Sequence, residues 1–318
     1  MFRKIMSLIL FLQLVFVGFS PDYSSCNSFL GAGTNNTISG NITSNYSGSY
    51  CFSMASGASL DCQGYTINGN KTVNYIFYPN GADDVTIKNC NGLNSINLVY
   101  GNGAENLKLY NISGYNLSSR GIHLAWATGT IMDNVNIERA NTEGILINNG
   151  ENISMNNLFI DNVSGTCFTF NGMSHSSVNS VGMDKCSSIG MMVDGENNTI
   201  SNSNFTGKTY ELYFFTGYNN TIYNNSFQNI SKIGFAASSS NSFNLSIYGN
   251  TYYNTSAYSG KYCFDAPTNT SCDYFANILI FPSIESSTSS ISTSTVPLFS
   301  YLNYFAFLIL IFIGFIFV

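Results

Sequence analysis

Apolar and polar residues alternate with period two in short runs along most of the chain, and the runs recur in a fixed order. Examples are "VTIKNC", "LKLYNI", "ISMNNLFI", "TISNSNF" and "TIYNNSF". Runs this short with that alternation predict β-strands, because successive strand side chains point to opposite faces. Each unit then shows Asn, a second apolar run, a turn, and Gly before a further run. The units start at Ala58, Ala82, Ala104, Thr128, Glu151, Met173, Glu196, Tyr218 and Asn241, a spacing of 22 to 24 residues. A fixed period of that size marks a stacked-repeat architecture. Leucine does not hold fixed positions, no helical period is present, and a propeller blade is about twice as long. The pattern predicts an all-β chain, a single-stranded right-handed parallel β-helix of about 8–9 coils. Its strands would pair ~4.8 Å apart around one continuous core.

Aligned on their Asn, the units give a column of Asn89, Asn111, Asn134, Asn157, Asn179, Asn202 and Asn224. Asn tolerates the left-handed conformation of a sharp bend, and its amide bonds to an identical amide stacked beside it. Two residues earlier stand Ile87, Leu109, Met132, Met155, Ile200 and Ile222, with Ser177 as the exception; Ile137, Ile160, Phe205 and Phe227 stand three later. Asn111 and Asn224 also begin Asn-x-Ser/Thr sequons, yet the repeat assigns them to this ladder.

The ends differ from the repeat. Residues 1–20 place Arg3 and Lys4 before a mainly apolar run from Ile5 to Phe19, the pattern of a secretory signal peptide. Pro21 leaves the cleavage site open, with an uncleaved anchor as the alternative. Residues 21–57 are expected as an N-terminal entry segment, 58–250 as the β-helix, and 251–282 as an aromatic, disulfide-bearing cap. Residues 283–297 are expected as a Ser/Thr-rich stalk, and 298–318 as a transmembrane anchor. A helix of that length, at ~1.5 Å per residue, crosses a ~30 Å hydrocarbon layer. A lipid-anchor signal has the same outline, so either a helix or a lipid would hold the β-helix outside the cell surface.

Composition fits an exported location. Charged residues make up 9% of the chain and the net charge is −6, so no basic surface suits nucleic acid. Sixteen sequons are present. The candidate glycan carriers are Asn41, Asn45, Asn70, Asn116, Asn152, Asn162, Asn204 and Asn254. Eight cysteines in an exported chain predict disulfides. Cys263 with Cys272 closes a short loop containing Pro267, Cys26 with Cys51 staples the entry segment, and Cys62 with Cys90 falls on neighbouring repeats. Cys167 and Cys186 lie about three positions out of register, which leaves their pairing open.

"LDCQGYTINGN", "VTIKNC", "RGIHLAWA" and "EGILINNG" resemble the parallel β-helix repeats of the pectate-lyase-like superfamily over about residues 26 to 250. They are most similar to the sub-group of the periplasmic copper-processing protein of the nitrous-oxide reductase system and to archaeal surface proteins. The resemblance implies fold more than activity, since one fold hosts many functions. The superfamily's enzymes cut acidic polysaccharides, which makes aligned carboxylates the first candidates. Glu138, Asp161 and Asp184 fall at nearly the same place in three successive units, with Arg139 and Lys185 beside two of them. Carboxylates about 5 to 10 Å apart, as successive and alternate coils would set them, bracket the separations that glycoside hydrolysis uses. The competing reading is a polar column on solvated surface.

Polygalacturonase-like motifs are otherwise missing: Asp83-Asp84 occurs once, at a turn, and there is no Gly-His-Gly or Arg-x-Lys. Arg120 and Glu143 read as a surface ion pair worth at most ~1 kcal/mol. Met173, His175, Met183, Met191 and Met192 include soft ligands for copper, but without regular spacing. No metal and no cofactor is therefore expected. The chain has 21 tyrosines and 25 phenylalanines. Tyr115, Tyr218, Tyr223, Tyr248, Tyr252 and Tyr253 stand beside Asn, Gly or another such Tyr, a setting suited to sugars. The expected role is structural, adhesive or glycan-binding, with a polysaccharide or glycan and the membrane as partners. The alternative is a polysaccharide lyase or hydrolase acting through the three carboxylates.

Overall fold

The computed structural model describes residues 23–207, 211–214, 219–229, 232–235 and 246–253. The expected signal segment, stalk, anchor, Cys263–Cys272 pair and Asn254 lie outside the described residues, as does most of the expected cap. The described residues form strands and turns, with no helix among them.

The chain winds as a parallel β-helix of about eight turns. Strands Thr86–Leu93, Lys108–Leu117, Ile131–Ala140 and Ser154–Val163 stack in parallel and bend in their middles, so each contributes to a first and a second face. The third face stacks Gly48–Met54, Val73–Tyr78, Asn97–Asn102, Ile122–Ala125, Glu143–Asn148 and Thr166–Ser174, also in parallel. The stack reaches into the expected entry segment, where Ser28–Leu30 pairs with Gly48–Met54 and Asn35–Thr37 with Ser59–Asp61. It also continues past residue 250, where Thr251–Tyr253 pairs with Ser226–Gln228.

Alternation decides what is inside. On the first face Leu60, Ile87, Leu109, Met132, Met155, Val178 and Ile200 occupy one register column and are buried. On the third face Phe52, Phe77, Val99, Ile122, Ile145, Phe168 and Met191 do the same. Burying each large side chain contributes about 1.5–3 kcal/mol, and only stacking closes both sides of each layer.

The bend between first and second faces is the Asn column. Asn89, Asn111, Asn134, Asn157, Asn202 and Asn224 all have φ between 51° and 56°. Asn89 donates to Asp61 Oδ1, Asn111 to Asn89 Oδ1 and Asn134 to Asn111 Oδ1, each at 3.0 Å. Asn157 departs from the ladder and donates to Asp133 Oδ1 at 2.9 Å. At the start of the ladder burial pushes Asp61 up, but the Asn89 and Gln63 donors and Lys88 together hold it below the ordinary carboxylate value.

Asn179 is misplaced by the Asn alignment. It pairs with Asn156 and Ser201, and Ser180 takes the left-handed bend at φ 54°. The buried position of that coil is Val178, not Ser177. Asn179 still donates to Asn156 at 3.3 Å and accepts from Asn202 at 2.7 Å, one position inside the bend.

A second bend, between second and third faces, carries Asn94, Asn116, Arg139, Asn162 and Lys185 at positive φ. Asn116 donates to Asn94 Oδ1 at 2.5 Å, so this expected glycan carrier is itself a ladder residue. A glycan on Asn111 or Asn116 would put a bulky sugar on the nitrogen that donates between coils, crowding the ladder. Intact glycopeptides from the folded, secreted protein are therefore expected to show both sites empty, and full occupancy at either contradicts this register.

The disulfides Cys26–Cys51 and Cys62–Cys90 form as expected, and Cys167–Cys186 also forms.

Candidate functional site

The register brings Glu138 beside Asp161 and Asp161 beside Asp184 on the second face. Each precedes a left-handed bend residue: Arg139 at φ 61°, Asn162 at φ 57° and Lys185 at φ 50°, of which the first and last carry a cation. Lys185 Nζ lies 3.5 Å from Asp161 Oδ1 and 3.6 Å from Asp184 Oδ2. Arg139 Nε is 3.5 Å from Glu138 Oε1, and its guanidinium lies 4.9 Å over the Tyr115 ring. The charges of Asp161 and then Asp184 push the Lys185 ammonium above its ordinary value. A lysine shared by two carboxylates offsets part of the repulsion between them. The cluster is a solvated ion network, with the Lys185 and Arg139 side chains more than half exposed, so its pairs add little to stability.

The third face carries the stronger surface. On the side of the strands away from the core, one column holds the half-buried Tyr78, Tyr100 and His123 and ends in the buried Leu146 and Thr169, with the half-buried Tyr50 and Tyr75 in the column alongside. Tyr75 and Tyr100 stack at 4.9 Å, Tyr75 and Tyr78 at 5.2 Å, and Tyr78 lies 5.7 Å from both Tyr50 and Tyr100. His123 meets Tyr100 edge-on at 5.0 Å. Stacked ring faces cover one another, so the strip presents ring edges and hydroxyls, which donate and accept. Burial, followed by the neighbouring Tyr100 and Tyr78, pushes the Tyr75 phenol up.

Burial and then the Arg120 charge push His123 down from 6.5, which keeps it neutral near pH 7. Its Nε2 is 3.4 Å from Asn148 Nδ2, and Asn171 donates to Asn148 Oδ1 at 2.9 Å. Asn102, Ala125, Asn148 and Asn171 form the next outward column. Arg120 and Glu143 close the patch with the expected ion pair at 2.8 Å. Among the described residues no cluster of metal-ligating side chains occurs.

Sequence reasoning did not single out Tyr50, Tyr75, Tyr78 or Tyr100. The available signal was the repeat itself, since Tyr78, Tyr100 and His123 are 22 and 23 residues apart. Of the tyrosines it did name, Tyr223 stacks on Tyr248 at 5.1 Å on the first face, Tyr115 is exposed with the Arg139 guanidinium over its ring, and Tyr218 lies outside the described residues. Asn41, Asn45, Asn70, Asn152, Asn162 and Asn204 are exposed.

These features define the class, a parallel β-helix displaying outward columns of like residues. The family described as the right handed beta helix region matches residues 80–252, more than half of the chain. The chain belongs to that family.

Solved structures agree on the fold. The catalytic domain of a GH87 α-1,3-glucanase in complex with tetrasaccharides is similar at TM-score 0.57 and 14% identity, over 81% of this chain and 63% of that one. This chain thus spans less than two thirds of that domain. A polygalacturonase from Erwinia carotovora ssp. carotovora aligns at 0.53 and 13% identity, over 80% of this chain and 88% of the other. PfbA, a surface adhesin of Streptococcus pneumoniae, aligns at 0.50 and 10% identity, over 77% and 82%. Identities this low show the fold alone. No curated protein matches the chain by sequence.

Proposed function

We propose that the chain is a cell-surface, non-catalytic β-helix module that recognises glycans through its third face. The observation that carries this reading is the strip of Tyr50, Tyr75, Tyr78 and Tyr100, continued by His123 and the Asn148–Asn171 amides. Hydroxyls and amides repeated at each coil, ~4.8 Å apart, offer alternating donors and acceptors to a hydroxyl-rich ligand. The signal-like residues 1–20, the stalk 283–297 and the apolar 298–318 support export and tethering. Similar folds in an adhesin and in two carbohydrate-acting enzymes are consistent with a glycan partner.

The test is an oligosaccharide array probed with the secreted protein and with Tyr78→Phe/Tyr100→Phe. That variant keeps the stacked rings and removes two hydroxyls. At about 1 kcal/mol per hydrogen bond, binding should weaken about tenfold or more. Equal binding by both proteins would move the site off this face.

The lyase or hydrolase reading retains one supporting observation, the shared register of Glu138, Asp161 and Asp184. The Lys185 and Arg139 pairs favour the binding reading over it.

A further inference from the structure

Trp126 is the sole tryptophan of the chain, and it stands where the fold tolerates it least. Its side chain is 66% exposed and its φ is 54°. A bulky residue at positive φ is a steric outlier, and an exposed indole adds unfavourable contact with water. The equivalent positions of neighbouring coils hold Gly81, Gly103, Asn149 and Gly172, the residue types that accept this bend. Backbone bonds fix the equivalence: Gly81 N donates to Asn102 O, Gly103 N to Ala125 O, Trp126 N to Asn148 O and Asn149 N to Asn171 O, all at 2.7–2.8 Å. The repeat therefore asks for Gly or Asn at position 126, and the chain supplies its largest side chain.

Space and polarity around the indole suit a ligand. A Cβ added to Gly81 or Gly103 would meet nothing within 4 Å, so the two preceding coils leave an open step beside it. Two residues after Trp126, Thr128 is bridged to Glu105 on one side and Glu151 on the other. The Glu151 side chain is 52% exposed, with His175 Nδ1 3.9 Å away. The backbones of Glu105 and Glu151 thus stand one coil to either side of Thr128, at ~4.8 Å per coil, and both residues are exposed.

We propose that Trp126 is the stacking anchor of a binding site for a neutral hexopyranose, with Glu105 and Glu151 accepting its hydroxyls. A pyranose ring offers a C–H face to the electron-rich indole and a rim of hydroxyl donors to the carboxylates. A uronate would set its own carboxylate against both glutamates. The site lies along the edge that follows the third face, and it names the ligand class for the glycan-recognition reading, on which it rests.

The single tryptophan makes the test site-specific. Indole emission of the secreted protein is recorded during titration with neutral hexasaccharides of glucose and of mannose, with trigalacturonate, and with tetramethylammonium. Calorimetry runs in parallel on wild type, Trp126→Phe and Trp126→Gly. A neutral hexasaccharide should shift the emission to shorter wavelength in a saturable way. Trp126→Gly should weaken its binding about tenfold or more, with Trp126→Phe between. Trp126→Gly should also melt no lower than wild type, since Gly suits the bend.

Sugar binding seen by calorimetry with unchanged emission overturns the Trp126 site and leaves the third-face reading standing. A shift with trigalacturonate or tetramethylammonium but not with neutral sugars overturns the ligand class. No sugar binding by either method overturns both readings.

Discussion

Gly144→Val is expected to lower the melting temperature by on the order of 10 °C, from about 3 kcal/mol of lost stability. Gly144 is the second residue of the strand Glu143–Asn148, just after the corner between second and third faces, and is buried. A Cβ there would come 2.5 Å from Ile160 Cγ2 and 2.6 Å from the Cys167 carbonyl oxygen. The crowding recurs at this corner: a Cβ at Gly121, one coil earlier in the same column, would meet the Gly144 carbonyl, and one at Gly165 the Thr142 carbonyl of the preceding coil. The obstacles include the backbone of the next coil, which cannot turn aside as a side-chain tip can. A thermal melt followed by far-ultraviolet circular dichroism measures the loss. Asn136→Val, at an exposed position of the second face, should leave the transition nearly in place. Equal melting of Gly144→Val and wild type would contradict the tight stacking at this corner.

Cys167→Ala/Cys186→Ala is expected to cost about 3 kcal/mol in equilibrium denaturant unfolding. Both sulfurs are fully buried, and the bond closes a loop with a sequence separation of 19. Constraining an unfolded chain over that distance stabilises the folded state by about 3 kcal/mol. Retained midpoints in the double variant would show that the bond adds nothing at this site. The effect should exceed that of removing any one surface ion pair, since Arg120–Glu143 is worth at most ~1 kcal/mol.

That disulfide also marks where sequence reasoning stopped. Counting positions along stacked units compares residues on one face, and there Cys186 stacks on Val163. Cys167 lies beyond the Ser164–Gly165 turn, and the bond crosses the corner inside the core, which a count along one face does not reveal. Cys62–Cys90 was legible because its cysteines sit close in register, Asp61 pairing with Lys88. The Asn column was legible for a similar reason, since its repeat coincides with the coil. Its one slip, at Asn179, left a visible mark: a serine in a column otherwise of Ile, Leu and Met, cured by moving one residue to Val178.

The carboxylate column was legible, but its chemistry was not. Spacing aligns Glu138, Asp161 and Asp184, whereas the bridging reach of Lys185 depends on a backbone bend at φ 50°. The third-face tyrosines were hidden for another reason. In Val73–Tyr78 the buried Ile76 and Phe77 are adjacent, so strict alternation fails and Tyr75 and Tyr78 do not declare themselves outward. Trp126 was quoted within "RGIHLAWA" as a fold motif, and only its left-handed backbone separates it from the residues around it.

Recognition without turnover is tested most directly by following polymer ends. Neutral glucans and uronate polymers are incubated with the secreted protein and with Asp161→Asn, and reducing ends and unsaturated products are measured beside binding. The expected result is saturable glycan binding by both proteins with no product from either. Product released by the wild type and lost in Asp161→Asn would contradict it, and would return Glu138, Asp161 and Asp184 to the centre of a catalytic site.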